Sequence, residues 1–168
     1  MRKLILAAFL LSTAGLAHAD VAPTCTSADN HRLDFWLGKW QVFDNKGVLH
    51  GTNEITRGPG GCGLIEHWQG LQPGNVGTSL NGYEPATEEW TQYWISPNET
   101  AYMKGKFEKD GVLRMTGTIT YYSSHEVHGF RNNLIPNPDG TLRNDAFEQD
   151  PKTGQWSEWF TGYYKKAS

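Results

Sequence analysis

The sequence predicts an all-β fold: a single antiparallel up-and-down β-barrel of about ten strands, with a short N-terminal helix closing one end. Three observations predict it. Turn sequences recur at short intervals, aromatic and polar residues alternate between them, and no segment after Gly38 sustains a helical period. Composition agrees, with 19 glycines and seven each of Phe, Trp and Tyr in 168 residues. Glycine turns joined by aromatic strands suit a sheet. A chain of 18.8 kDa is the size of one domain, expected here over residues 20–168.

The first nineteen residues read as a secretory signal peptide. Arg2 and Lys3 precede an apolar run from Leu4 to Leu16, and Ala17-His18-Ala19 is an A-x-A cleavage site. The run is shorter than the ~20 residues that a membrane span needs, so a soluble product in the periplasm or outside the cell is expected. In an oxidising compartment the only two cysteines, Cys25 and Cys62, are expected to form a disulfide.

The elements follow in order. Ser27 or Asp29 can cap a short helix ending near Gly38, with Leu33, Trp36 and Leu37 on its apolar face. Strands are expected at about 40–45, 48–56, 62–69, 76–84, 90–96, 100–108, 112–121, 125–134, 141–148 and 156–165. Asn45-Lys46-Gly47, Pro59-Gly60-Gly61, Pro73-Gly74, Pro97-Asn98, Lys109-Asp110-Gly111, Pro138-Asp139-Gly140 and Lys152-Thr153-Gly154 punctuate them. A barrel hides every strand edge, and one of this size either fills its interior or holds one small ligand. A two-sheet sandwich is the alternative.

The faces are mixed. Trp90, Gln92 and Trp94 share one side of the fifth strand, and Leu64, Glu66 and Trp68 share one side of the third. Such faces fit a binding cavity, or a small core whose indole N–H groups bond Gln92 or Glu66. A formal charge of −3 and a pI of about 6.0 argue against a nucleic-acid binder, which needs a basic face. No GxxxxGK[ST] or GxGxxG motif is present, which excludes those two nucleotide-binding designs.

Phe35-Trp36-Leu37-Gly38-Lys39-Trp40, preceded by Leu33-Asp34, carries the G-x-W that opens lipocalin-like barrels. It resembles the "FDFWLGxW" opening of an exported bacterial family of uncharacterised function. Gly61-Cys62-Gly63-Leu64-Ile65-Glu66-His67-Trp68, Gly77-Thr78-Ser79-Leu80-Asn81-Gly82-Tyr83, Trp90-Thr91-Gln92-Tyr93-Trp94 and the stretch from Trp156 to Tyr164 resemble later strings of that family, in order. The resemblance implies a calycin-like barrel distantly related to nitrobindin, and no established reaction. Thr161 and Asn144 stand where the family has Asp and Gln. The resemblance also implies that Trp40 lies across the closed end under a basic side chain from the last strand, Lys165 or Lys166. Trp36 and Gly38 complete that end, which leaves the other end as a ligand mouth.

Candidate ligand-binding residues are Glu66, Trp68, Tyr83, Trp90, Gln92, Trp94, Arg131 and Arg143. A buried Glu66 needs a partner, which Arg131 or Arg143 could supply. His125-Glu126-Val127-His128 is not HExxH, and in a strand its two histidines face apart, so no metal site is expected. No cofactor is expected either, since no His follows His128 to hold haem near the last strands. Three functions remain. The leading one is binding of a small, partly apolar molecule inside the barrel. The others are an isomerase or hydratase using Glu66 with an arginine, and a carbohydrate or protein binder using exposed Trp rings.

Overall fold

The computed structural model describes residues 25–167, and the expected signal peptide lies outside them. All ten strands form: β1 (Gly38–Phe43), β2 (Leu49–Arg57), β3 (Leu64–Gly70), β4 (Val76–Glu84), β5 (Glu89–Ile95), β6 (Glu99–Phe107), β7 (Leu113–Tyr121), β8 (Val127–Pro136), β9 (Leu142–Gln149) and β10 (Trp156–Lys166). Each strand pairs antiparallel with its chain neighbour, and β1 pairs with β10, so the sheet is a closed barrel and not a sandwich. Among the described residues no helix is long and apolar enough to cross a membrane.

The turn chemistry explains the short connections. Asp44 Oδ1 accepts the backbone N–H groups of Lys46 and Val48, and Asp150 Oδ1 those of Lys152 and Thr153. Gly47, with φ of 80°, takes the left-handed conformation that closes the first of these turns.

The N-terminal helix is two single 3-10 turns, Asp29–His31 and Asp34–Trp36. The segment is too short to propagate an α-helix, and Gly38 turns the chain away at φ of 114°. The N-cap position is Ala28, which makes no side-chain cap, and Ser27 just before it accepts the backbone N–H and the side-chain amide of Asn30. The Cys25–Cys62 disulfide forms and fastens this segment to the chain just before β3.

These turns close one end. Leu33 and Trp36 are buried inside the barrel rim, and the Trp40 indole N–H donates to Trp36 O at 2.7 Å. Ile55, Leu64, Trp90, Leu113, Leu134 and Leu142 fill the adjoining half of the interior. Lys166 Nζ sits 3.7 Å from the centroid of the Trp40 ring and also donates to Leu37 O. Lys165, the other candidate, instead lies over Phe43 on the outer face, 5.1 Å from its ring centroid. Alternation decides between them. Lys166 pairs with Trp40 in register, and Lys165 with Gln41. Burial pulls the Lys166 ammonium below its ordinary value.

Two outcomes test this end. Trp40→Ala is expected to cost ~3–5 kcal/mol in denaturant unfolding, the loss for truncating a buried Trp, whereas Lys166→Met costs about 0.5–1 kcal/mol. Replacing both Cys25 and Cys62 by Ser removes a bridge across a separation of 37 residues. The chain-entropy relation then predicts a loss of about 3–4 kcal/mol, read as a lower denaturation midpoint.

Candidate functional site

The half of the barrel away from the 3-10 turns is not filled. A cavity of about 320 Å³ opens there, at the ends of β3, β5 and β9 and the starts of β4, β6, β8 and β10. Its wall is aromatic: Trp68, Trp94, Phe130, Trp159 and Phe160. Glycines make room for the rings. A methyl group at Gly77 would lie 2.1 Å from the Trp94 ring, and one at Gly162 would lie 2.7 Å from Phe160. The indoles are also tethered at the rim. Trp68 donates to Asn75 Oδ1 at 2.9 Å, Trp94 to Glu99 Oε1 at 3.3 Å and Trp159 to the Tyr121 hydroxyl at 3.2 Å. Their N–H groups thus go to rim residues and not to Gln92 or Glu66. The rings stand against the wall and the lumen stays open.

The floor is polar. Glu66 on β3 points inward between Leu64 and Trp68 and is only 6% exposed. Asn53 Nδ2 donates to its Oε1 at 2.7 Å, and the Ser79 hydroxyl to its Oε2 at 2.6 Å. Gln92 Nε2 reaches the same Oε2 at 3.5 Å and Ser79 Oγ at 3.3 Å. Asn81 donates to Ser79 Oγ at 2.8 Å, which directs the serine proton to Glu66. Asn132 on β8 donates to Gln92 Oε1 at 3.3 Å, while its own Oδ1 is buried without a donor among the described residues. The chain of donors therefore runs from Asn132 through Gln92 to the carboxylate.

Every hydrogen-bonding partner of Glu66 is neutral. Burial lifts its carboxyl above the ordinary 4.5, and the hydrogen bonds from Ser79 and Asn53, with the charge of His67, offset only part of that. Burial and the Glu66 charge together push the Tyr164 phenol upward as well.

Four of the expected ligand-binding residues line the cavity: Glu66, Trp68, Gln92 and Trp94. The other four do not. Tyr83 and Trp90 face inward but pack together at the closed end, with ring centroids 5.9 Å apart. Arg131 lies on the outer face, its guanidinium 3.8 Å from the Trp156 ring centroid. Arg143 is also outside, bonded to Asp145 two residues along the same face at 2.9 Å. Arg131 is one residue out of phase with the inward Phe130 and Asn132, and Arg143 with Leu142 and Asn144, so neither guanidinium partners Glu66. His128 Nδ1 meets Glu148 Oε1 at 2.5 Å, while His125 sits in the preceding turn with φ of 58°.

Ser79, Asn53, Asn132, Asn144 and Glu99 are functional candidates that the sequence reading missed. The alternations Gly51-Asn53-Ile55 and Phe130-Asn132-Leu134 carry the signal for two of them.

Fold and site together define a calycin-like barrel, closed at one end and hollow at the other. Searches of protein-family models and of curated proteins find no significant match to the chain.

The Glu66 environment sets a pH dependence. Because its folded-state carboxyl titrates above 4.5, the folded chain holds more protons than the unfolded chain in the window above that value. Stability contributed by this group is full below 4.5, is lost as pH rises through the folded value, and stays lost above it. Thermal melts from pH 4 to 8 are expected to show wild type losing stability relative to Glu66→Gln as pH rises. Parallel curves would contradict the assignment.

Proposed function

We propose that this protein is an exported binding protein that holds a small, partly apolar molecule in the open half of its barrel. The observation that carries this reading is the 320 Å³ cavity, with aromatic walls around a few converging polar groups. Apolar walls around a small number of placed hydrogen-bonding groups are the usual build of a ligand pocket, and the volume falls within the ~300–1,000 Å³ of such sites. Export after Ala19 is supported by the signal-peptide pattern and by the Cys25–Cys62 bridge, since disulfides persist in oxidising compartments. The ordered strings from Phe35 to Tyr164 favour kinship with the exported family that they resemble.

The alternatives have less behind them. The enzyme reading paired Glu66 with an arginine, and both arginines are on the outer face. The carbohydrate reading needs a strip of exposed Trp rings, and Trp159 is the one Trp among the described residues with an exposed side chain.

Native mass spectrometry of protein purified from its own compartment is expected to show a single co-purified small molecule. In a second test, the neutral dye N-phenyl-1-naphthylamine should brighten on adding wild type and be released by an added ligand. Ala146→Phe fills the lumen at a buried lining position and should reduce dye binding at least ~10-fold, the effect of losing about 1.4 kcal/mol of contact. Undiminished dye binding by a folded Ala146→Phe would place the dye outside the barrel and count against the reading.

A further inference from the structure

We propose that the ligand is an organic ammonium ion: an aromatic or apolar body carrying a protonated amine, seated with its N–H groups between Glu66 and Asn132. The inference rests on the reading of the cavity as a ligand site and names the chemical class that the site selects.

Charge is the first argument. Among the described residues, those lining the cavity include two carboxylates, Glu66 and Glu99, with His50 at the rim and no lysine or arginine. Lys166 is engaged at the closed end, and Arg131 and Arg143 lie outside the barrel. Glu66 is therefore a buried carboxylate whose hydrogen-bonding partners are Asn53, Ser79 and Gln92, all neutral. Burial disfavours the ionised form unless it is paired, and here the cavity is the side from which a counter-charge can come.

Hydrogen-bond direction is the second, and it is independent of charge. Asn132 is 6% exposed, and its Oδ1 takes no donor from the described residues. One N–H of its amide goes to Gln92, and Oδ1 is the atom of the side chain left with no partner at all. An ammonium supplies the N–H that this acceptor lacks, and a carboxylate ligand would meet it lone pair to lone pair. The aromatic wall is the third argument. The negative faces of Trp68, Trp94 and Trp159 favour a cation over a neutral body of the same shape.

Three probes that share an indole test this: tryptamine as the ammonium, tryptophol as the neutral alcohol and indole-3-propionate as the anion. Each is titrated at pH 7 against wild-type protein carrying N-phenyl-1-naphthylamine. Tryptamine is expected to displace the dye at least ~10-fold more tightly than tryptophol, the factor that one charge-assisted hydrogen bond supplies. Indole-3-propionate should be weakest. N,N,N-trimethyltryptamine keeps the charge and loses the N–H groups, so it should bind more weakly than tryptamine. In Glu66→Gln the preference for tryptamine over tryptophol should fall towards one while tryptophol binding persists. The probe series on wild type decides the question even where that variant fails to fold. If tryptophol or indole-3-propionate competes as well as tryptamine, the cation proposal is overturned while the cavity reading stands. If the dye itself does not bind, the cavity reading fails and the proposal fails with it.

Discussion

The pairing of β1 with β10 is the constraint on which the rest depends. Once Trp40 is opposite Lys166 and Gln41 opposite Lys165, the sheet is closed and each of the ten strands has one inward face. The same register places Trp40 inside, beneath the two 3-10 turns, where its indole bonds Trp36 and its ring receives the Lys166 ammonium. One end is thereby sealed by large apolar side chains. The plug occupies the end where β1, β3 and β5 begin, and the cavity lies towards the end where they finish. Closure and cavity are two consequences of one registration.

The two halves of the interior follow different physics. Near the plug, Leu, Ile, Met and Trp side chains pack as a core and contribute through apolar burial. Near the mouth, rings are held back against the wall by inward glycines and by hydrogen bonds to the rim, and the polar side chains of Asn53, Ser79, Gln92 and Asn132 meet around Glu66. A carboxylate at such a depth with only neutral partners costs stability. Under the proposed reading, that cost is met by what the group does in the cavity.

The strands were legible in the sequence because their punctuation is chemical. Asp44, Asp110, Asp139 and Asp150 each accept a backbone N–H within their own turn, and glycines follow where the backbone must turn left-handed. The inward face was harder to read, because both faces carry aromatic and polar residues. Arg131 and Arg143 were misplaced by a single position of parity, and Lys165 and Lys166 stood as alternatives for the same reason. Tyr83 and Trp90 show a second limit. Alternation gives the face of a residue but not its depth along the barrel, and these two lie at the plugged end. Asn53, Ser79 and Asn132 went unnoticed because small polar residues in a strand read as solvent-facing until the partner that buries them is known. The short N-terminal helix was legible from Leu33, Trp36 and Leu37, and its form has a length reason: the nine residues before Gly38 make two tight 3-10 turns.

The central claim is that the lumen holds a carboxylate which the protein leaves unneutralised and a cationic ligand completes. Carbon-13 NMR of the Glu66 side-chain carboxyl, followed through a pH titration with and without tryptamine, tests it most directly. The account predicts a titration above 4.5 in the free protein and a shift to lower pH when tryptamine is bound, because a cation that prefers the ionised carboxylate must favour ionisation in return. A Glu66 carboxyl that titrates at its ordinary value, or one that tryptamine leaves unmoved, would contradict it.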